Sequence, residues 1–240
     1  MSDAFSFHPE LRERIKPSKD SFFRDLSVET FVAMLKKHDL DTSWLRTEAE
    51  IDAVFQSSLD EYPGGDLWIF GYGSLMWDPG FLYDEVRYAH LPNYQRSFCL
   101  VDTGGARGNV DTPGLMAALD HGGFCDGIAF RVPEALVAAE MRQVFWREAI
   151  APAYHPAFVP VEIGSDTDQA LIFVADPTAP MIDRSLNFDQ QAQLMGTGKG
   201  FLGTSLEYIE NLSENLSALG IVDEHVQELL EASSAVANNQ

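Results

Sequence analysis

The sequence predicts an α+β protein: a small mixed or antiparallel β-barrel with flanking helices, preceded by a helical N-terminal extension. Three observations predict it. Short β-type runs follow one another from Leu67 to Val174 without the regular helix alternation of a doubly wound sheet. The first 60 or so residues are charged, helical in period and free of β-rich runs. Helical patterns then close the chain after Asp183.

The elements follow in order. Ser27 is placed to cap a helix burying Val28, Phe31, Val32 and Leu35, and Thr47 with Glu50 forms a capping-box pattern before Ile51, Val54, Phe55 and Leu59. Pro63-Gly64-Gly65 marks a seam, so the domains divide as 1–65 for the extension, 66–232 for the main unit and 233–240 for a tail, SSAVANNQ, expected to be disordered. The extension shows no evident chemistry and is expected to pack on the main domain or on a partner. Strands are expected at Leu67–Gly71, Glu85–His90, Arg96–Val101, Leu115–Leu119, Phe124–Val132, Phe158–Ile163 and Gln169–Val174. A helix from Pro133 to about Ile150 interrupts them, and others follow near Asp183–Met195, after Thr204 and after Asp223. Thr204 and Glu207 repeat the capping box; Leu206, Ile209, Leu212, Leu216 and Leu219 form its stripe, which Gly220 stops.

Composition removes several function classes. Against 37 acidic side chains stand 16 basic ones, a formal net charge of -21, which repels a phosphate backbone and argues against nucleic acid as a partner. The basic groups Arg12, Arg14, Lys16 and Lys19, and the pair Lys36-Lys37, read as solvated faces. Cys99 and Cys125 each sit in an apolar strand-like run and are expected to be buried free thiols, which suits a reducing cytoplasm. The start MSDAFSFHPELRERIK has no signal-peptide pattern, and no run nears the roughly 20 apolar residues of a membrane span, so a soluble cytoplasmic protein is expected. The six histidines show no metal-ligand spacing, and no metal is expected.

Two features carry chemistry. In LWIFGYGSLMW, Leu67 to Trp77, an apolar strand breaks into Gly71-Tyr72-Gly73-Ser74, a turn whose bared amides could grip a small anionic or carbonyl group. A dinucleotide fingerprint would need glycine at Met76, and a hydrolase nucleophile elbow would need glycine at both Tyr72 and Met76. An ordinary strand ending in a Gly-rich turn fits the same letters. The second feature is the stripe Val137, Met141, Val144, which lands next on Glu148, about 20° off line by helix geometry. An acid on an apolar face, in the last turn before Pro152, would have its pKa raised by desolvation and by the exposed helix carbonyls. Such a group suits proton transfer near neutral pH. The alternatives are pairing with Arg147 or Arg142, or rotation to solvent; the aromatics Phe145, Trp146 and Tyr154 suit a core as well as a pocket.

Together these segments resemble the γ-glutamylcyclotransferases, specifically the ChaC-like, glutathione-specific branch. The matching pieces are FGYGSLMWDPGF (Phe70–Phe81), RGNVDTPGLMAAL (Arg107–Leu119), WREAIAPAYHPAFVPV (Trp146–Val161) and GFLGTSLEYIENL (Gly200–Leu212), spread over roughly Leu67 to Leu230. The resemblance implies a loop, Ile69, Phe70, Gly71, Tyr72, Gly73, Ser74 and Leu75, whose backbone holds the γ-glutamyl group, and an essential glutamate at Glu148. It also carries Tyr154 and Tyr208 into the pocket. Two departures stand out: Ser205 occupies a place where asparagine is usual, and Ala139, beside Glu140, occupies that of a second functional glutamate in some members.

The implied reaction needs no cofactor and no nucleophile from the enzyme. The substrate α-amine attacks its own γ-carbonyl, releasing 5-oxoproline and, from glutathione, cysteinylglycine; holding that folded geometry can lower the barrier by about 7–11 kcal/mol. Glu148 would shuttle the proton, and the loop amides would hold the substrate and developing oxyanion. The alternatives are another γ-glutamyl peptide or amine as substrate, or a non-catalytic cation-transport regulator. Oligomeric state is not legible in the sequence.

Overall fold

The computed structural model describes residues 3–239. Five strands, β1 (Leu67–Gly71), β2 (Glu85–Gly104), β3 (Asn109–Val132), β4 (Tyr154–Ile163) and β5 (Asp166–Ala175), close a barrel in the order β1-β3-β2-β4-β5. β1 runs antiparallel to β3, with Leu67 opposite Val132 and Gly71 opposite Ile128, and parallel to β5, which seals the ring. The barrel is therefore mixed.

The separate runs expected at Glu85–His90 and Arg96–Val101 are one 20-residue strand, and those at Leu115–Leu119 and Phe124–Val132 are one of 24. β2 and β3 form a long hairpin, interrupted by register shifts at Pro92/Tyr94, Phe98/Leu100 and Asp102/Gly104. Pro92 and Asn93, the latter at φ 67°, break the period-two pattern locally, so one bulged strand reads as two.

Because successive strand residues face opposite sides, the barrel builds two cores. Trp68, Phe70 and Tyr72 join Leu91, Cys125, Val161 and Ile172 in one cluster; Leu67 and Ile69 join Val86 and Phe130 in another, packed against the helices. Cys99 and Cys125 are free and buried, in different clusters.

Among the described residues six α-helices surround the barrel: α1 (Val28–Lys37), α2 (Glu48–Glu61), α3 (Val137–Glu148), α4 (Phe188–Thr197), α5 (Ser205–Ala218) and α6 (Glu224–Asn238). Capping boxes at Thr47/Glu50 and Thr204/Glu207 start α2 and α5; Ser27 starts α1 with Thr30 as its partner. α4 begins later than the Asp183 pattern suggests, because Asp183 closes a turn onto the Ser185 N–H (2.9 Å) and Asn187 with Gln190 makes the capping box. The segment 233–239 is not a disordered tail. α6 runs to Asn238, Ser233 is fully buried, and α4 comes so close that a Cβ on Gly196 would meet the Ser233 carbonyl at 2.6 Å. Gln240 lies outside the described residues. Among the described residues no helix is long and apolar enough to cross a membrane, and no cluster of His, Cys, Asp and Glu could hold a metal ion.

The extension docks on the barrel at the loop following β1. Lys16 donates its backbone N–H to the Trp77 carbonyl (2.8 Å) and its Nζ to Asp78 Oδ2 (2.7 Å); Ser18 Oγ donates to the Gly80 carbonyl (3.2 Å). Gly80 takes φ 76° directly beneath Phe23, where a Cβ would sit 3.0 Å from that residue's Cβ. Only glycine suits both the turn and the contact.

Candidate active site

A cavity of about 1520 Å³ opens between the extension and one end of the barrel. Tyr72, Gly73, Ser74, Leu75, Glu148, Tyr154 and Tyr208 all line it. Residues drawn from the loop after β1 and from α3, β4 and α5 thus meet in one place. Ile69, Phe70 and Gly71 do not line it: they belong to β1, with the Ile69 and Phe70 side chains fully buried on opposite faces and Gly71 packed under Leu75.

The loop is shaped by its break from the strand. β1 ends at Gly71, and Ser74–Met76 winds a single 3-10 turn in which Met76 donates to the Gly73 carbonyl (2.8 Å) and Asp78 to that of Ser74 (3.0 Å). A turn's first amides have no partner within it. Among the described residues the N–H groups of Gly73, Ser74 and Leu75 donate to no protein acceptor. The Tyr72 carbonyl is held by Arg96 Nε (2.8 Å), and the Tyr72 hydroxyl donates to the Phe173 carbonyl (3.3 Å). Gly73 lies under Tyr208, where a Cβ would stand 2.6 Å from the phenol oxygen. That oxygen accepts the Ala117 N–H (3.3 Å), so the ring cannot simply move aside.

Glu148 is the last residue of α3, one turn beyond the buried Val144. Its side chain is 15 % exposed, and that exposure faces the cavity. Of the alternatives weighed from the sequence, the pairing is present, Arg147 Nε to Glu148 Oε1 at 2.8 Å, and the rotation to solvent is not. The same guanidinium donates from Nη2 to Ser74 Oγ (2.8 Å) and from Nη1 to the Pro79 carbonyl (3.3 Å) and the Asp78 carbonyl, while Phe23 of the extension covers it at 3.9 Å. Arg147 therefore locks the glutamate to the loop. Burial pushes the Glu148 carboxyl above its ordinary value, and the Arg147 charge and hydrogen bond pull it partly back.

Three phenols surround these groups. Burial raises the Tyr208 pKa to about 12 and those of Tyr72 and Tyr154 well upward, with the Glu148 charge adding to each. All three stay protonated near neutral pH.

The two departures resolve into structural contacts. Glu140 is 2 % exposed and receives Arg24 Nη1 (2.5 Å) and Nη2 (3.2 Å) together with the Leu82 N–H (2.9 Å). Ser205, fully buried, accepts the Leu115 N–H (2.9 Å) and donates to the Arg107 carbonyl (3.1 Å). Sequence reasoning missed the extension's share in the cavity, with Lys16, Phe23 and Trp44 in the wall, and missed Arg107 opposite. The available signal was thin: basic and aromatic residues in a region without β-rich runs.

Comparison with known proteins matches residues 67–236 to the family described as ChaC-like protein. The chain is 36% identical over 167 residues to the glutathione-specific gamma-glutamylcyclotransferase of Escherichia coli (strain K12), covering 69% of this chain and 72% of that protein. It is 32% identical over 173 residues to glutathione-specific gamma-glutamylcyclotransferase 1 of Homo sapiens, covering 69% and 78% respectively. The fold is similar to that of a γ-glutamyl cyclotransferase specific to glutathione from yeast, with TM-score 0.67, 18% identity, and 74% of this chain and 99% of that one covered.

Proposed function

This chain belongs to the ChaC-like protein family, and from that premise we propose that it cleaves glutathione to 5-oxoproline and cysteinylglycine, as a glutathione-specific γ-glutamylcyclotransferase. We assign the chemistry to the segment 66–232, completed by the extension. The observation that carries the site assignment is the Arg147 guanidinium, which pairs with Glu148 and Ser74 and so joins a cavity carboxyl to a loop with unspent amides.

The geometry supports the following course. Glutathione enters with its γ-glutamyl end on the Tyr72–Leu75 loop, which β1 residues Ile69, Phe70 and Gly71 hold in register rather than touch. Glu148, ionised, takes a proton from the α-ammonium while the nitrogen bonds to the γ-carbonyl carbon. The amides of Gly73, Ser74 and Leu75 donate to the oxyanion that develops. The old C–N bond then breaks as Glu148 passes its proton to the departing nitrogen, and the second proton, lost by the cyclised nitrogen as it becomes the lactam N–H, follows by way of the same carboxylate, so that cysteinylglycine leaves with an ammonium end. A raised carboxyl pKa helps in both directions, because a base close to the working pH also returns its proton readily. Tyr154 and Tyr208 close the pocket around the glutamyl group. The two free thiols suit the reducing cytoplasm, where we place the protein.

The test is incubation with glutathione and quantification of both products. Wild type is expected to release 5-oxoproline and cysteinylglycine in equal amounts, and Glu148→Gln is expected to fold normally and turn over roughly 10²–10⁴ times more slowly. Near-normal turnover in that variant would overturn the role of Glu148. Release of 5-oxoproline only from other γ-glutamyl compounds would move the substrate, and release from none would return the chain to a binding or regulatory role.

A further inference from the structure

Among the described residues, Arg107 is the cation lining this cavity that forms no ion pair with a protein carboxylate. It stands in the connection between β2 and β3, a segment held rigidly from below: Asp102 accepts the N–H groups of Gly104 (2.8 Å), Gly105 (3.2 Å), Gly108 (2.9 Å) and Arg107 itself. The Arg107 carbonyl is fixed by Ser205 Oγ at 3.1 Å. Backbone and position are thus set, while the guanidinium is half-buried in the cavity wall, 6.0 Å from the centre of the Tyr208 ring. Of its five N–H donors, the one hydrogen bond among the described residues is a long contact of Nη1 to the Thr204 carbonyl, 3.3 Å.

The acids that face it are engaged elsewhere. Asp102 is spent on the four amides; Glu207 Oε2 accepts the Thr204 N–H (2.7 Å) to cap α5; Asp78 Oδ2 accepts from Lys16, and its buried Oδ1 reaches no donor. They favour the Arg107 charge from a distance, but burial outweighs them and presses the guanidinium toward its neutral form. A half-desolvated cation with a free planar fork is complementary to a carboxylate, which it can take in two parallel hydrogen bonds. Such a cation is unusual in a chain of net charge -21.

We propose that Arg107 binds a carboxylate of the substrate, at the side of the cavity where the β2–β3 connection meets α5. This inference rests on the glutathione reading. Glutathione offers two carboxylates, the α-carboxylate of the glutamyl half and the terminal carboxylate of the leaving half. In either case Arg107 acts in binding rather than proton transfer, so its loss falls on KM more than on kcat.

The experiment compares wild type, Arg107→Met and Arg107→Lys on glutathione and on glutathione with its terminal carboxylate converted to the amide, with melting temperature as the check on folding. Arg107→Met is expected to raise KM for glutathione about 10- to 100-fold with kcat changed much less. Arg107→Lys is expected to recover part of this, having the charge without the fork. If wild type disfavours the amide by a similar factor and Arg107→Met no longer distinguishes the two, the terminal carboxylate is the ligand. If the variant loses equally on both, the glutamyl carboxylate is. Unchanged KM on both substrates, in a folded variant of an active enzyme, overturns the proposal. A wild type that releases no 5-oxoproline overturns the glutathione reading instead; Arg107 is then judged by calorimetric binding of S-methylglutathione, where wild-type and Arg107→Met affinities that match, or no binding by either, would overturn it too.

Discussion

Two glutamates stand eight residues apart on α3, and the two ends of that helix place them in opposite surroundings. At its N-terminal end Glu140 is sealed between the extension and the loop after β1, with both oxygens on Arg24 and one also on the Leu82 N–H. At its C-terminal end Glu148 faces a cavity and has an arginine neighbour that is shared with Ser74. Burial alone does not distinguish these two acids. What separates them is whether the surrounding donors saturate the carboxylate: Glu140 is saturated, and Glu148 keeps access to a ligand.

Paired substitutions test that contrast directly. Glu148→Gln keeps shape and removes the base, so it is expected to show the largest effect of all, the 10²–10⁴-fold loss of turnover, with folding retained. Glu140→Gln is expected to reverse the pattern. Half of a mostly buried ion pair is lost, at a cost of about 3 kcal/mol in denaturant unfolding, while kcat per folded molecule stays close to wild type. A catalytic defect in folded Glu140→Gln, without loss of stability, would break the comparison.

Arg147 sharpens it, because its charge and hydrogen bond act on the carboxyl that faces the cavity. Arg147→Met fills the volume but withdraws the charge and hydrogen bond that hold the Glu148 pKa down. The carboxyl should then titrate still higher, and as a base it is active only when ionised. The acid limb of kcat/KM is therefore expected to move to higher pH, with turnover lower by on the order of 10²-fold from misplacement of Ser74 and Glu148. A limb that stays where wild type has it would show that Arg147 does not govern Glu148.

How much of this was legible follows from how locally each signal is written. Glu148 could be read from the stripe Val137, Met141, Val144, because helix geometry alone puts it on the buried side. The loop could be read from glycines ending an apolar run. The capping boxes at Thr47 and Thr204 are four-residue patterns and appear as expected. Contacts across many residues are a different matter: nothing near Arg24 indicates a partner at Glu140, and nothing near Phe23 indicates that it covers Arg147. β2 and β3 misled for a related reason, since a bulge breaks alternation without ending the pairing.

The extension carries the smallest and most diagnostic prediction. It lies outside the matched segment 67–236, yet Phe23 sits 3.9 Å from the guanidinium that joins Glu148 to the loop. Desolvated cation–π contacts are worth about 2 kcal/mol and exposed ones about 0.5–1, so Phe23→Ala should lower kcat/KM several-fold. Phe23 also lines the cavity, which leaves two routes for that effect: through Arg147, or through lost contact with the substrate. The double variant Phe23→Ala/Arg147→Met separates them. If the extension acts through Arg147, the second substitution adds little once the guanidinium is gone, giving a coupling as large as the Phe23→Ala effect itself. If the two losses multiply, Phe23 works as wall, and α3 takes its catalytic geometry from the barrel alone.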